Sequence, residues 1–186
     1  MTKTEKDILE AAVQVFSRYG VKRTSMGDLA QEAGVSRQTL YNTFKNKDDV
    51  LKGLIRNYTD EALRDIEAGL KSAQDIGEQL DILFDKMVVA GFDLVKEMPN
   101  AQDLIDGFNA AGMEELDASA EKFRRVIERM FMPHESALAR TDLTAPDLSD
   151  FVQRSAKAAG RTARDKDHLM RQLKTLKQLC LSALRS

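Results

Sequence analysis

Apolar residues recur at spacings of three and four through nearly all of this 186-residue chain, and no stretch of strand length combines strict alternation with β-branched enrichment. A chain patterned this way has to bury helical stripes against one another, so the expected fold class is all-α, with about nine helices. The punctuation agrees. Gly20, Gly34 and Gly112 stand where left-handed backbone or a break closes a helix, Pro99 and Pro133 end apolar stripes, and Ser25, Ser36, Asn46 and Thr144 stand where N-caps belong.

The spacing predicts a first helix over residues 6–18, carrying Ile8, Leu9, Ala12, Val13 and Phe16, and a short second over 26–33 behind Ser25 and Asp28. A third runs over 37–43. A fourth begins behind Asn46 and carries Val50, Leu51, Leu54, Ile55, Tyr58, Leu63, Ile66 and Leu70, long enough to join a head to a body. The domains expected are a head of residues 1–50 and a body of 51–186. Within the body, stripes ending at Pro99 and Pro133 flank a shorter helix near 101–110, residues 132–145 read as a loop, and two further helices follow, the last defined by Leu169, Leu173, Leu176, Cys180 and Leu184.

Composition excludes several classes of function. The longest apolar stretch, residues 87–92, is far short of the roughly 20 residues that span a bilayer, and the polar opening Thr2-Lys3-Thr4-Glu5-Lys6-Asp7 lacks the apolar core of a signal peptide, so a cytoplasmic protein is expected. One Cys and two His residues, His134 and His168, supply no zinc cluster, and no GxGxxG, P-loop, GxSxG or HExxH pattern occurs. The chain is expected to be no enzyme and to need no metal or cofactor. Net charge is −2, which excludes coating nucleic acid by bulk electrostatics, yet residues 1–56 carry ten Lys and Arg against seven Asp and Glu while the remainder carries 18 against 23.

The most specific pattern lies in that mildly basic head: Leu29-Ala30-Gln31-Glu32-Ala33-Gly34-Val35-Ser36-Arg37-Gln38-Thr39-Leu40. A helix-turn-helix needs a small residue where its helices cross, a residue tolerant of positive φ four positions later, and an apolar residue six beyond that to lock the second helix. Ala30, Gly34 and Leu40 meet those demands. Such a unit lays its second helix in the major groove, where Arg37, Gln38 and Asn42 are of the kinds that pair bidentately with guanine or adenine.

With Ile8-Leu9-Glu10-Ala11-Ala12, Phe16, Tyr19-Gly20, Thr24-Ser25-Met26, Leu29-Ala30, Gly34-Val35-Ser36, Thr39-Leu40-Tyr41, Phe44, Lys47 and Leu51 in order and without a gap, residues 8–55 resemble the TetR/AcrR family of bacterial one-component transcriptional regulators. The resemblance implies a three-helix DNA-binding head joined by a long helix to a helical effector-binding and dimerisation body. It implies phosphate contacts from Thr24, Thr39, Tyr41 and Lys47, with Ser25, Ser36, Thr43 and Lys45 as neighbouring phosphate contacts, and base contacts from Arg37, Gln38 and Asn42. For Tyr41, a half-buried core aromatic is the competing reading. The expected function is a ligand-responsive repressor that binds a pseudo-palindromic operator as a homodimer and is released by a small hydrophobic effector. An activator of the same family, or a helical adaptor whose head no longer reads DNA, are the alternatives.

Two features of the body bear on that reading. Ser155, Ala156, Ala158, Ala159, Gly160 and Ala163 put small side chains on one helix, and the last helix is apolar on one face. Packing within one subunit explains the pattern as well as a dimer does, and the resemblance implies the dimer, with Ser155, Ala159, Leu169, Leu173, Leu176 and Cys180 as its interface. Phe84, Met87, Phe92, Phe108, Met113, Phe123 and Met130 are more aromatic and Met-rich than a plain Leu core. They serve either as a packed core or, as the resemblance implies, as the lining of an effector pocket, with Asn109 as a polar contact.

Overall fold

The computed structural model describes residues 2–96, 98–100, 103–107 and 112–185. Among these, helices are the only regular structure: α1 (Lys3–Tyr19), α2 (Met26–Glu32), α3 (Arg37–Thr43), α4 (Lys47–Leu70), α5 (Ile76–Phe84), α6 (Ala90–Lys96), α7 (Met113–Phe131), α8 (Glu135–Leu138), α9 (Ala145–Thr162) and α10 (Lys166–Arg185). The chain divides into two compact units. One comprises residues 1–58 and 95–117, the other 59–94 and 118–186, so α4 contributes to both.

The first unit is built around a core of Ile8, Leu9, Ala12, Val15, Phe16, Leu29, Ala30, Leu40, Phe44, Val50 and Leu51. Its helices start where side chains satisfy orphan amides. Thr2 and Glu5 form a capping box that starts α1 three residues earlier than the apolar stripe predicts, and Ser25 with Asp28 forms another on α2. The Asn46 side-chain oxygen accepts the Asp49 amide at 2.9 Å, opening α4. Close approach requires glycine at position 53, where a β-carbon would stand 2.8 Å from the Phe44 ring.

The first compact unit extends through residue 58 and takes in residues 95–117 as well. Met98 and Leu104 bury into the head's core. Asn100 donates from Nδ2 to the carbonyls of Ser17 and Arg18, at 2.9 Å each, supplying partners that the end of α1 leaves unmet. Asp103 accepts the Lys22 amide at 3.1 Å, and Arg56 pairs with Glu115 at 2.5 Å. A helical period marks where a segment folds, not which unit it packs against, so this allegiance is invisible in the stripe alone.

The second unit packs Ile66, Leu80, Leu83, Phe84, Met87, Phe123, Ile127, Phe131, Leu138, Val152, Ala156, Leu169, Leu173, Leu176 and Cys180 into one core. Between α5 and α6 the backbone widens into a π turn, Asp85–Val89. Lys157 of α9 reaches this turn, donating to the Met87 carbonyl at 3.1 Å while its ammonium lies 5.2 Å from the centre of the Phe123 ring. The expected loop over 132–145 is mostly helical turns, because Leu138 anchors α8 in the core and Thr141 donates to the Leu138 carbonyl at 2.9 Å. No helix among the described residues is long and apolar enough to cross a membrane.

Candidate nucleic-acid interface

The pair α2 and α3 is set by the turn between them. Gly34 adopts φ +66, a conformation that costs a side chain-bearing residue about 1 kcal/mol or more, and the Val35 amide then returns to the Ala30 carbonyl at 3.0 Å. Ser36 caps α3 by accepting the Thr39 amide at 3.0 Å. Leu40 and Phe44, 0% and 2% exposed, fix the inner side of α3 against the core. That leaves the other side of a seven-residue helix in solvent, and it is polar: Arg37, Gln38, Tyr41 and Asn42 are all exposed, with Lys45 just beyond.

The three candidate base readers do not sit alike. Gln38 Nε2 donates to Asn42 Oδ1 at 2.9 Å, one helical turn apart. Arg37 instead folds back over the start of α2, where a β-carbon on Gly27 would stand 3.0 Å from its Nη2. Asp28 lies nearby. The Ser25 amide and hydroxyl hold its carboxyl below the usual carboxylate range, and the Arg37 guanidinium adds a smaller push in the same direction.

The expected phosphate contacts differ in exposure and in partners. Thr24 is 3% exposed, and its hydroxyl donates to the Gly20 carbonyl at 2.7 Å, so its side chain braces the turn after α1 and does not face outward. Ser25 and Ser36 spend their hydroxyls on the caps of α2 and α3. The hydroxyls of Ser36 and Thr39 lie 2.8 Å apart, and Thr43 donates to the Thr39 carbonyl at 2.9 Å. Tyr41 is 50% exposed, on the outward side of α3 and not in the core. Lys47 is half-buried, with Nζ donating to the Val21 carbonyl at 2.9 Å, which ties the start of α4 to the turn after α1.

This helix-turn-helix lies within residues 8–54, the stretch matched by the family described as bacterial regulatory proteins, tetR family. Over that stretch the chain is similar to the tetR family. Its curated relatives include the uncharacterized HTH-type transcriptional regulator YvdT of Bacillus subtilis, 33% identical over 84 residues, which are 45% of this chain and 43% of that protein. HTH-type transcriptional regulator AcrR of Shigella flexneri is 44% identical over 48 residues, or 26% of this chain and 22% of that protein. The chain thus matches less than half the length of these curated relatives. Solved structures carry the fold over nearly the whole chain. The fatty acid degradation regulator FadR from Bacillus halodurans aligns with TM-score 0.69 at 19% identity, covering 96% of this chain and 95% of that one. A TetR transcription regulator from Haloarcula marismortui aligns with TM-score 0.71 at 15% identity, covering 100% and 98%. These relatives and neighbours are themselves named as transcriptional regulators.

In the body, the expected pocket residues part company. Phe84, Met87, Phe123 and Met130 are buried together in the core of the second unit, with Phe92 packed against it. Met113 is 57% exposed and belongs to the first unit. Phe108 and Asn109 lie outside the described residues. The residues expected at a dimer interface have neighbours within the chain. Ala159, Leu169, Leu173, Leu176 and Cys180 are buried within the chain's own core, and Ser155 is half-buried. A stripe of that strength is consumed by the subunit itself, which is why the Cys180 thiol is pushed up to about 11 by burial. The apolar side chains that α9 and α10 leave in solvent are Phe151, Met170 and Leu179. Each stands next to a buried residue, Val152, Leu169 or Cys180, so the apolar pattern alone does not mark them as exposed.

Proposed function

We propose that this chain is a transcriptional regulator that binds operator DNA as a homodimer and is released from it by a small, largely hydrophobic effector, with repression by steric exclusion as its mode. The observation that carries the reading is the exposed polar side of α3, held outward by buried Leu40 and Phe44 and set in place by the Gly34 turn. Repressors among the structural relatives support it, SmeT of Stenotrophomonas maltophilia being the repressor of the multidrug efflux pump SmeDEF. A cytoplasmic location follows from the target.

Tyr41, Lys45, Lys47 and the Thr39 hydroxyl are the proposed phosphate contacts, and each neutralised phosphate steepens the fall of affinity with salt. Lys47→Ala is expected to weaken binding to every duplex and to lower the logarithmic salt slope by about 0.9. Titration of the wild type and variant against one duplex at several salt concentrations measures this. An unchanged slope assigns Lys47 to bracing the Val21 turn alone.

The proposed dimer surface is the solvent-facing side of α9 and α10 carrying Phe151, Met170 and Leu179. A pair of helices from each of two subunits across a two-fold axis buries such residues. Phe151→Glu is expected to shift the wild-type dimer toward monomer at micromolar concentration in a sedimentation experiment without loss of helix content. A Phe151→Glu protein as dimeric as the wild type places the interface elsewhere.

A further inference from the structure

We propose that Gln38 and Asn42 read the operator as one coupled unit, and that Arg37 takes no part in choosing bases. The inference rests on the DNA-binding reading above and adds the sequence chemistry that the half-site must present. It follows from how the two amides share their hydrogen bonds. In the structure Gln38 Nε2 donates one proton to Asn42 Oδ1 at 2.9 Å. An amide nitrogen carries two protons, one on the side of its own carbonyl oxygen and one on the far side. If the far-side proton goes to Asn42, Gln38 keeps Oε1 and the near-side N–H pointing the same way. That is the fork which pairs with adenine, Oε1 accepting from N6 and N–H donating to N7.

Asn42 is then constrained in turn. If Gln38 takes the Oδ1 lone pair on the side of Nδ2, Asn42 offers no second adenine fork, and its Nδ2 protons are what remain for DNA. Those protons need a major-groove acceptor, thymine O4, guanine N7 or O6, or adenine N7. Cytosine presents a donor there and is the base least tolerated. The half-site therefore carries an adenine at the Gln38 position and an acceptor-bearing base beside it.

Both side chains are exposed on the outward side of α3, free of other partners among the hydrogen bonds of the described residues, whereas the Arg37 guanidinium lies over Gly27 at the start of α2, with Asp28 nearby. Extending Arg37 to a base edge gives up that packing. Placed where it is, its charge serves the phosphate backbone equally at every sequence.

The test selects duplexes from a random library with the full-length wild type and with Gln38→Ala, Asn42→Ala, Arg37→Ala and the double variant Gln38→Ala/Asn42→Ala, then measures affinities on the recovered site and on the same site with 7-deazaadenine, which lacks the N7 acceptor. Circular dichroism and salt-sensitive binding to unrelated duplex confirm that each variant is folded. The wild type is expected to lose roughly 5- to 150-fold affinity on the 7-deazaadenine site, and Gln38→Ala to be indifferent to that change. Asn42→Ala is expected to relax preference at the neighbouring position and also to weaken the adenine preference. The double variant should lose less than the product of the single losses. Arg37→Ala should weaken all duplexes by the same factor. An Arg37→Ala protein that changes its selected sequence, or Gln38 and Asn42 losses that simply multiply, overturns the coupled reading while leaving DNA-binding function intact. A wild type that recovers no common sequence overturns both.

Discussion

Leu40→Ala is expected to lower the stability of the head by about 2–5 kcal/mol and to abolish binding to operator duplex. Leu40 is the one fully buried side chain of α3 and packs among Ile8, Leu9, Leu29, Ala30 and Phe44 in a single core. The helix it anchors has only seven residues, too few to hold together without tertiary packing, so loss of the anchor releases the DNA-facing side and not merely a cavity's worth of energy. Hydrogen exchange is the direct measure: amides of residues 37–44 should lose protection in the variant while those of α9 and α10 keep theirs. Leu40→Met, which preserves most of the volume, should cost less than about 1.5 kcal/mol and keep binding. Equal protection of α3 in the wild type and in Leu40→Ala contradicts the assignment of Leu40 as the anchor.

Lys157→Met is expected to stabilise the body by about 1–3 kcal/mol at neutral pH, an unusual direction for a substitution at a part-buried position beside a native core. Burial pushes the Lys157 ammonium down to about 8 from an ordinary value near 10.5. The bond to the Met87 carbonyl and the Phe123 ring offset only part of the lost hydration. Because the folded group binds its proton less tightly than the unfolded one, the cost is constant below pH 8. Between pH 8 and 10.5 the unfolded chain holds more protons, so stability rises with pH across that window. The wild type minus the Met variant isolates this from other titrating groups. Denaturant midpoints at about pH 7 and about pH 9.5 should differ between the two proteins by less at the higher pH. A difference that stays constant with pH shows that Lys157 is charged without penalty.

Much of the head is legible in the amino-acid sequence. Ser25 and Asp28, Gly34, Ser36, and the apolar pair Leu40 and Phe44 each impose a local requirement that only one arrangement satisfies, and the helices they delimit fall within a residue of expectation. What the pattern does not carry is the destination of polar side chains. Thr24 has the chemistry of a phosphate contact, yet the Gly20 carbonyl claims its hydroxyl, and Lys47, a proposed phosphate contact, also donates to the Val21 carbonyl; both acceptors lie in a turn whose path no periodicity encodes. The same limit governs the body. The strong stripe Leu169, Leu173, Leu176 and Cys180 is what the subunit uses for itself, while the exposed Phe151, Met170 and Leu179 adjoin buried residues and are not set apart by the pattern. Asn100 and Asp103 are a further case, since nothing local to them shows that they fasten onto the end of α1 and the turn after it.

The measurement that bears most directly on the central claim is selection of bound duplexes from a random library by the purified wild-type protein, repeated at two salt concentrations. A sequence-reading dimer recovers an inverted repeat whose half-sites are centred one helical turn of DNA, about 34–36 Å, or a multiple of it apart, and recovers the same repeat at both salt concentrations with lower affinity at the higher. Recovery of no common sequence, with binding that vanishes as salt is raised, contradicts the assignment of α3 as a base-reading helix and with it the proposed function.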